Sequence, residues 1–105
     1  MVFERQQFSR DVDIGTIYRS IVLPETVLER ADLPLMNGQA NYETFLSAQK
    51  TKHAKLLQAD GDVSGNLGLT YGTESAEGPR AAYLRVWVWR QSRWWLLFDV
   101  VAKME

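Results

Sequence analysis

One acidic residue, Asp99, lies within the apolar stretch 83–101, which also contains all four tryptophans of the chain. A carboxyl group in apolar surroundings loses hydration, and its pKa rises. Asp99 is therefore a candidate general acid or base for an apolar ligand, or a candidate hydrogen-bond donor. The alternative is structural, with Asp99 paired to an arginine, a tyrosine or a backbone group near the end of its strand.

Two tyrosines, Tyr18 and Tyr71, are candidates to add hydroxyl groups to the site of Asp99. Tyr18 lies on the apolar face of a predicted helix, and Tyr71 shares a strand face with Leu67 and Leu69. Buried tyrosine hydroxyls usually find a hydrogen-bond partner whether or not they have a function, so a structural role is the alternative.

The other polar residues carry no recognisable metal or cofactor motif. The single histidine, His53, lies among lysines without a companion acid, and we expect it to be exposed. Asp60-Gly61-Asp62 resembles a fragment of a calcium loop but lacks its other ligands, so we interpret it as a turn or bulge. The chain has no cysteine. We predict neither a metal nor a cofactor.

Asp99 is positioned by a predicted β-hairpin, in which two apolar runs flank the polar break Arg90–Arg93. If Trp89 pairs with Trp94, one face is rich in aromatic residues and consists of Tyr83, Arg85, Trp87, Trp89, Trp94, Leu96, Phe98 and Val100. The other face is mainly aliphatic and consists of Leu84, Val86, Val88, Trp95, Leu97, Asp99 and Val101. A one-residue bulge would move one strand's set to the opposite face. Because Gln-Ser is a poor two-residue turn, we predict a four-residue loop.

Both faces of this hairpin are apolar, so both are expected to be covered. The aliphatic face is predicted to join the core of the domain. Trp, Tyr and Arg are enriched at protein interfaces, so the aromatic face is predicted to contact a second copy of the chain. The alternative is that helices of the same chain cover it. The predicted dimer interface consists of Tyr83, Arg85, Trp87, Trp89 and Trp94.

The remaining elements follow from periodicity and turn residues. Residues 3–22 are predicted to form two helical pieces, with Asp13 capping the second. A short strand is predicted over Glu25–Ala31 and a helix over Gln39–Gln49. Four strands follow, over Ala54–Val63, Leu67–Thr73, Arg80–Arg90 and Arg93–Lys103. Helices followed by an antiparallel meander are the α+β pattern.

Composition excludes several classes of function. The formal net charge is -1, with 12 basic and 13 acidic residues well mixed along the chain. Nucleic acids and anionic membranes require a basic patch, so neither is predicted as a partner. No apolar run is long enough to span a membrane, and the first residues lack the apolar centre of a signal peptide. We therefore expect a cytoplasmic protein.

Several motifs occur in an order that resembles nuclear transport factor 2-like domains. Residues 27–28 and 37–38, which precede a predicted helix, resemble the short hairpin and helix start of these domains. Residues 65–72, GNLGLTYG, resemble their GDLGYTYG segment, and YLRVW at 83–87 followed by Trp94 and Asp99 resembles their closing hairpin. The likeness covers roughly residues 14–102 and is nearest to the SnoaL-like branch of small bacterial proteins.

The resemblance implies a single α+β domain over 1–105 with a shortened first helical region, in which N-terminal helices pack on a curved, mainly antiparallel sheet. This is the cone-shaped, cystatin-like architecture. It also implies a pocket between helices and sheet and frequent dimerisation through the outer sheet face. Members include ketosteroid isomerases, polyketide cyclases, epoxide hydrolases and proteins without known catalysis. Neither the isomerase tyrosine–acid set nor the epoxide hydrolase Asp-Arg-Asp set matches this chain residue by residue.

Three hypotheses about function follow. The first is a homodimeric protein that binds a small apolar ligand. Its predicted pocket residues are Tyr18, Leu56, Leu69, Tyr71, Leu84, Val86 and Leu97. The second is an enzyme of the isomerase, cyclase or epoxide-hydrolase type that uses Asp99 as general acid or base. The third is an interaction module that functions through its aromatic sheet face.

Overall fold

Two short helices precede a six-stranded sheet in the chain. The computed structural model describes residues 1–30, 33–37, 43, 45–46, 54–76 and 80–104. Its elements, in chain order, are α1 (Val2–Phe8), α2 (Ile14–Ile21), β1 (Val22–Arg30), β2 (Met36–Asn37), β3 (Ala54–Ser64), β4 (Leu67–Ala76), β5 (Arg80–Arg90) and β6 (Arg93–Lys103). The α+β class is confirmed, and the last four strands lie where the sequence predicts them.

The strand order in the sheet is β2-β1-β6-β5-β4-β3. Strands β3 to β6 form an antiparallel meander, because each is joined to the next by a short connection. β1 precedes the meander in the chain. It lies next to β6 in the sheet and runs parallel to it. The sheet is therefore mainly antiparallel, with one parallel pair that places the end of α2 beside β6.

Both helices pack on one face of the sheet. In α2 the buried residues recur with helical spacing, and the Asp13 side chain accepts a hydrogen bond of 2.8 Å from the Thr16 amide, which confirms the predicted cap. Phe8 of α1 and Ile17 and Ile21 of α2 belong to the hydrophobic core. None of the described helices is long and apolar enough to cross a membrane.

The strand predicted over Glu25–Ala31 is longer than expected and begins at Val22. The register of β1 with β6 shifts between Val22 and Val27, in the segment that contains Pro24. Proline has no amide hydrogen and is tolerated in strands at such irregularities. The helix predicted over 39–49 falls largely outside the described residues, and His53 falls outside them entirely.

The turn between β5 and β6 has two residues, not the four that the sequence predicts. Gln91 has φ 53° and Ser92 has φ 63°, so both have the positive φ of a type I′ turn. This turn continues the right-handed twist of the strands it joins. The predicted pairing of Trp89 with Trp94 is confirmed, and their rings meet edge to face at 5.3 Å between centroids.

A bulge in β6 changes which residues share a face. Trp87 lies opposite Leu96, whereas Val86 lies opposite Phe98, which leaves Leu97 without a partner on β5. Every residue of β6 beyond Leu97 therefore points to the face opposite the one expected from simple alternation. The predicted position of Asp99 on the face of Val86 is wrong for this reason.

The bulge separates two faces with different composition. The inner face, which packs against the helices, is polar and aromatic and includes Thr70, Glu74, Tyr83, Arg85, Trp87, Leu96 and Asp99. The outer face is apolar and includes Leu67, Leu69, Tyr71, Leu84, Val86, Phe98 and Val100. These inner-face residues are all buried, whereas several on the outer face are exposed. The hydrophobic core of the structure thus lies on the inner face, which also carries the buried polar side chains.

The β5–β6 turn is expected to limit stability. Replacing Gln91→Asn and Ser92→Gly should raise the free energy of unfolding by about 1 kcal/mol, because Asn and Gly adopt positive φ at lower cost. Urea denaturation followed by tryptophan fluorescence measures the change.

A substitution at Gly65 provides a control that should change the free energy of unfolding in the opposite direction. Gly65 has φ 59°, and no atom lies within 4 Å of an added Cβ. Gly65→Ala should therefore lose about 1 kcal/mol through backbone strain alone. Unchanged stability of the Asn-Gly variant would contradict the type I′ geometry.

Candidate functional site

Arg85 is the centre of a buried ion-pair network on the inner face. Its guanidinium is fully buried, and each of its three nitrogens contacts a different carboxylate. Nε donates to Asp99 at 2.8 Å, Nη2 donates to Glu74 at 2.5 Å, and Nη1 lies 3.4 Å from Glu4. The carboxylates come from β6, β4 and α1, so this one side chain connects two neighbouring strands and a helix to β5.

Two aromatic rings pack against the Arg85 guanidinium. The ring centroids of Phe8 and Tyr83 each lie 4.2 Å from its central carbon. A guanidinium is weakly hydrated and stacks well on aromatic faces, so the rings stabilise a charge that water cannot reach. The guanidinium is thereby held by carboxylates at its edge and by rings against its faces.

Asp99 is fully buried, and each of its carboxylate oxygens has a hydrogen-bond partner. Oδ1 accepts from Arg85, and Oδ2 accepts from the Tyr18 hydroxyl and from Arg30, both at 2.7 Å. Burial by itself would raise the pKa of Asp99, but the charges of Arg30 and Arg85 and the hydrogen bond from Tyr18 outweigh burial and lower this pKa below its ordinary 3.8.

The expectation of a raised Asp99 pKa is therefore wrong, and the structural alternative, pairing with arginine and tyrosine, is confirmed. A general base needs an oxygen that can reach the proton of a bound ligand. The oxygens of Asp99 are instead occupied by Arg30, Arg85 and Tyr18. The geometry favours a structural carboxylate at this position.

Glu4 is the second fully buried acid of the network. Its Oε2 accepts from the Thr70 hydroxyl at 2.6 Å, and its Oε1 accepts from the Tyr83 hydroxyl at 3.0 Å. Trp87 Nε1 donates to the same Thr70 oxygen at 2.8 Å. Glu4 is thus bound by side chains of β4 and β5 rather than by its own helix.

Two tyrosine hydroxyls remain neutral donors inside this network. Burial and then the charge of Asp99 raise the pKa of Tyr18 above its ordinary value of 10. Burial and then the charge of Glu4 raise the pKa of Tyr83 in the same way. Each hydroxyl therefore keeps the proton that it donates to the neighbouring carboxylate.

The structure separates the residues that the sequence predicts as one pocket. Tyr18 lies against Asp99, as predicted. Leu69, Tyr71 and Leu84 lie on the outer face, where 39%, 46% and 39% of their surface is exposed. Val86 and Leu97 are half-buried, and Leu56 lines a separate groove.

The residues predicted as a dimer interface are also divided. Tyr83, Arg85 and Trp87 are buried within the chain, so they are not available to a second copy. Trp94 is half-buried beside the core, and Trp89 remains exposed at the end of the hairpin. The alternative, that helices of the same chain cover this face, describes the structure.

A groove of about 700 Å³ lies between α1, the segment that follows it and β3. It is lined by Arg5, Phe8, Ser9, Arg10, Asp11, Lys55, Leu56, Leu57 and Ala59. The lining therefore combines three cationic side chains and one acid, Asp11, with apolar side chains.

Sequence reasoning missed three charged members of the network, Glu4, Arg30 and Glu74. The spacing of Glu4 and Phe8, four residues apart, places both on one face of α1 and is the one signal that indicates a buried acid. Arg30 and Glu74 carry no comparable signal, because each lies near the end of an ordinary strand. Their partners are set by strand pairing across the sheet.

No protein-family model and no curated protein matches this chain. Solved structures do resemble it in fold. A candidate ketosteroid isomerase from Parabacteroides distasonis superposes with a TM-score of 0.79 at 8% identity, covering 99% of this chain and 84% of that chain. A protein of unknown function with a cystatin-like fold from Nostoc punctiforme gives 0.81 at 10% identity, with 98% and 88% covered.

A third similar structure is the association domain of CaMKII from C. elegans. Its TM-score is 0.73 at 13% identity, and the superposition covers 95% of this chain and 90% of that chain. At such identities the likeness concerns the fold alone. The fold is cystatin-like, as the sequence predicts.

Asp99→Asn is expected to lower the free energy of unfolding at pH 7 by about 3–5 kcal/mol, because it leaves the buried guanidinium of Arg85 and the partly buried one of Arg30 short of a counter-charge. The Asp99 pKa is lowered in the folded state, so its contribution is present above 3.8 and is lost as pH falls through the folded pKa. The difference between wild type and variant should therefore narrow below pH 3.8, as measured by urea denaturation across an acid series.

Glu25→Gln is the matched control, because it breaks an exposed pair with Arg90 at 3.2 Å. This change should cost no more than about 0.5 kcal/mol. A difference for Asp99→Asn that stays constant into acid would contradict a lowered pKa.

Proposed function

We propose that this protein is a self-association module and that its outer sheet face contacts a second copy of the chain. The observation that carries this proposal is the apolar composition of an exposed face. Leu67, Leu69, Tyr71 and Leu84 expose between 39% and 54% of their surface on neighbouring strands. Exposed apolar patches of this kind mark interaction sites in soluble proteins.

The apolar residues of the outer face form continuous rows across the sheet. Tyr71 lies opposite Leu84, and Leu84 lies opposite Val100. In the next row Leu69, Val86 and Phe98 follow in the same way across β4, β5 and β6. These rows give an apolar surface three strands wide, which is suited to packing against an identical surface.

Acidic residues lie at the margins of these rows. Asp60 and Asp62 on β3 lie opposite Tyr71 and Leu69, and Glu29 on β1 lies opposite Val100. All three acids are exposed. An apolar centre with a polar rim is the usual anatomy of a protein interface.

The comparisons support this proposal at the level of fold. The C. elegans structure is an association domain by name, and it covers nearly the whole of this chain. The dimer expected from the sequence is kept, but its proposed surface is changed from the aromatic face to the outer face. Membership of the SnoaL-like branch stays a prediction from the motifs.

Small-ligand binding is the second candidate function, and the groove between α1 and β3 favours it. Arg5, Arg10 and Lys55 line it together with apolar side chains that include Phe8 and Leu56. An anionic head group beside the cations and an apolar body against the apolar side chains would complement both. The ligand class proposed for this groove is therefore a small amphipathic anion.

Leu69→Arg and Leu84→Arg are expected to convert a wild-type homodimer to monomer. A buried charge at the centre of an apolar interface should raise the dimer dissociation constant by at least about 30-fold. Sedimentation velocity over a micromolar concentration series measures this change.

Val63→Arg is the matched control, because Val63 is 50% exposed on β3 but lies opposite Gly68, outside the outer-face rows. This variant should remain dimeric. A wild-type protein that is monomeric throughout the series would refute the proposal.

For the groove, Lys55→Glu is expected to weaken binding of the anionic apolar dye ANS by about tenfold, since it reverses a charge beside the head group. Fluorescence titration of the folded protein measures the affinity. Arg90→Glu, at the far end of β5, should leave it unchanged. Equal affinity in wild type and Lys55→Glu would count against a ligand in this groove.

A further inference from the structure

The carboxylate of Glu4 is bound as a ligand would be. All of its partners are side chains of the sheet: Thr70 on β4 at 2.6 Å, Tyr83 on β5 at 3.0 Å and Arg85 on β5 at 3.4 Å. Glu4 and these three partners are buried. The sheet therefore carries a set of converging donors, and α1 carries the group that they bind.

These donors are oriented by contacts that do not involve Glu4. Trp87 Nε1 donates to the Thr70 oxygen at 2.8 Å, which directs the Thr70 hydrogen away from Trp87 and toward the carboxylate. Asp99 and Glu74 hold the other two nitrogens of Arg85. Supporting contacts of this kind preorganise a binding site on a rigid element.

The element that carries Glu4 is small. α1 has seven residues and no side-chain cap at its start, and Val2 is 71% exposed. A helix of this length is not stable alone in water, so α1 depends on its contacts with the sheet. The site is thus built on the strands of the sheet, whereas its occupant is carried by a short helix outside the sheet.

We propose that the inner face of β4 and β5 contains a receptor for the carboxylate of a small organic acid, and that Glu4 occupies this receptor as an internal ligand. A free acid binds when α1 withdraws Glu4, so α1 acts as a gate. This proposal does not depend on self-association through the outer face.

Recognition in this receptor rests on donors rather than on net charge. Without Glu4, the two guanidiniums of Arg30 and Arg85 are balanced by Glu74 and Asp99. Three donors of Thr70, Tyr83 and Arg85 would nevertheless lack an acceptor, which is costly in a buried site. Two carboxylate oxygens can accept from all three, whereas chloride cannot reproduce their geometry.

Glu4→Ala creates a space that matches a specific probe, because the heavy atoms removed are those of acetate. The variant should have a lower melting temperature than wild type. Sodium acetate should restore it saturably, by about 5 °C at about ten times the dissociation constant, while sodium chloride at equal ionic strength should not. Circular dichroism of the full chain at pH 7 measures these transitions.

The controls separate this site from weak surface binding. In wild type and in Glu4→Gln the side chain of residue 4 competes with acetate for the space, so acetate should raise their melting temperatures far less than that of Glu4→Ala. Acetamide, which lacks the charge and the second acceptor oxygen, should stabilise Glu4→Ala much less than acetate. Adding Tyr83→Phe to Glu4→Ala should weaken the effect of acetate by about tenfold, because one donor is removed.

The outcomes that would overturn the proposal are distinct. They are equal stabilisation of wild type by acetate, no stabilisation of Glu4→Ala, or stabilisation that Tyr83→Phe does not weaken. If Glu4→Ala is unfolded in chloride, recovery of the folded signal on adding acetate is the expected result, and absence of recovery overturns the receptor.

Discussion

The arrangement of helices and strands depends on one buried charge, the guanidinium of Arg85. Removing such a group from water costs several kcal/mol unless its nitrogens are paired, and here the pairs come from Glu4, Glu74 and Asp99. These acids lie on three different elements. A one-residue slip of β4 or β6 would turn Glu74 or Asp99 to the outer face and leave the guanidinium unpaired. The network therefore specifies the register of the sheet and the docking of α1, through the penalty for breaking it.

Much of the fold could be predicted because local signals agree. Turn residues bound the last four strands, helical spacing defines α1 and α2, and the pairing of Trp89 with Trp94 follows from the symmetry of the hairpin. The bulge at Leu97 could not be predicted. A bulge is revealed in a sequence when it interrupts an alternation of apolar and polar residues, but both faces of this hairpin are apolar. The run Leu97-Phe98 fits either face, so the face of Asp99 was undetermined.

The site was harder to predict than the fold, because it is assembled from distant positions. Asp99 and Tyr18 were recognisable since a polar group in an apolar pattern is conspicuous. Glu74 and Arg30 lie in polar surroundings near strand ends, and only pairing across several strands brings them to the network. The two-residue turn at Gln91 and Ser92 was also determined by pairing between strands. Both residues disfavour positive φ, but the long strand pairing on either side of the turn overrides that local preference.

The network that holds the fold together also determines where function can lie. A cystatin-like fold can host catalysis, but an inner-face acid must offer an oxygen to a ligand, and those of Asp99 are committed to arginine and tyrosine. Besides the groove between α1 and β3, two parts of the described structure are candidates for binding. The outer face exposes apolar rows that a second copy can cover. On the inner face, Glu4 is the one charged member of the described network that is carried by a helix rather than by the sheet. A carboxylate that enters there replaces an existing contact, so binding and the position of α1 are linked, and a ligand of this site would act by releasing the first helix of the fold.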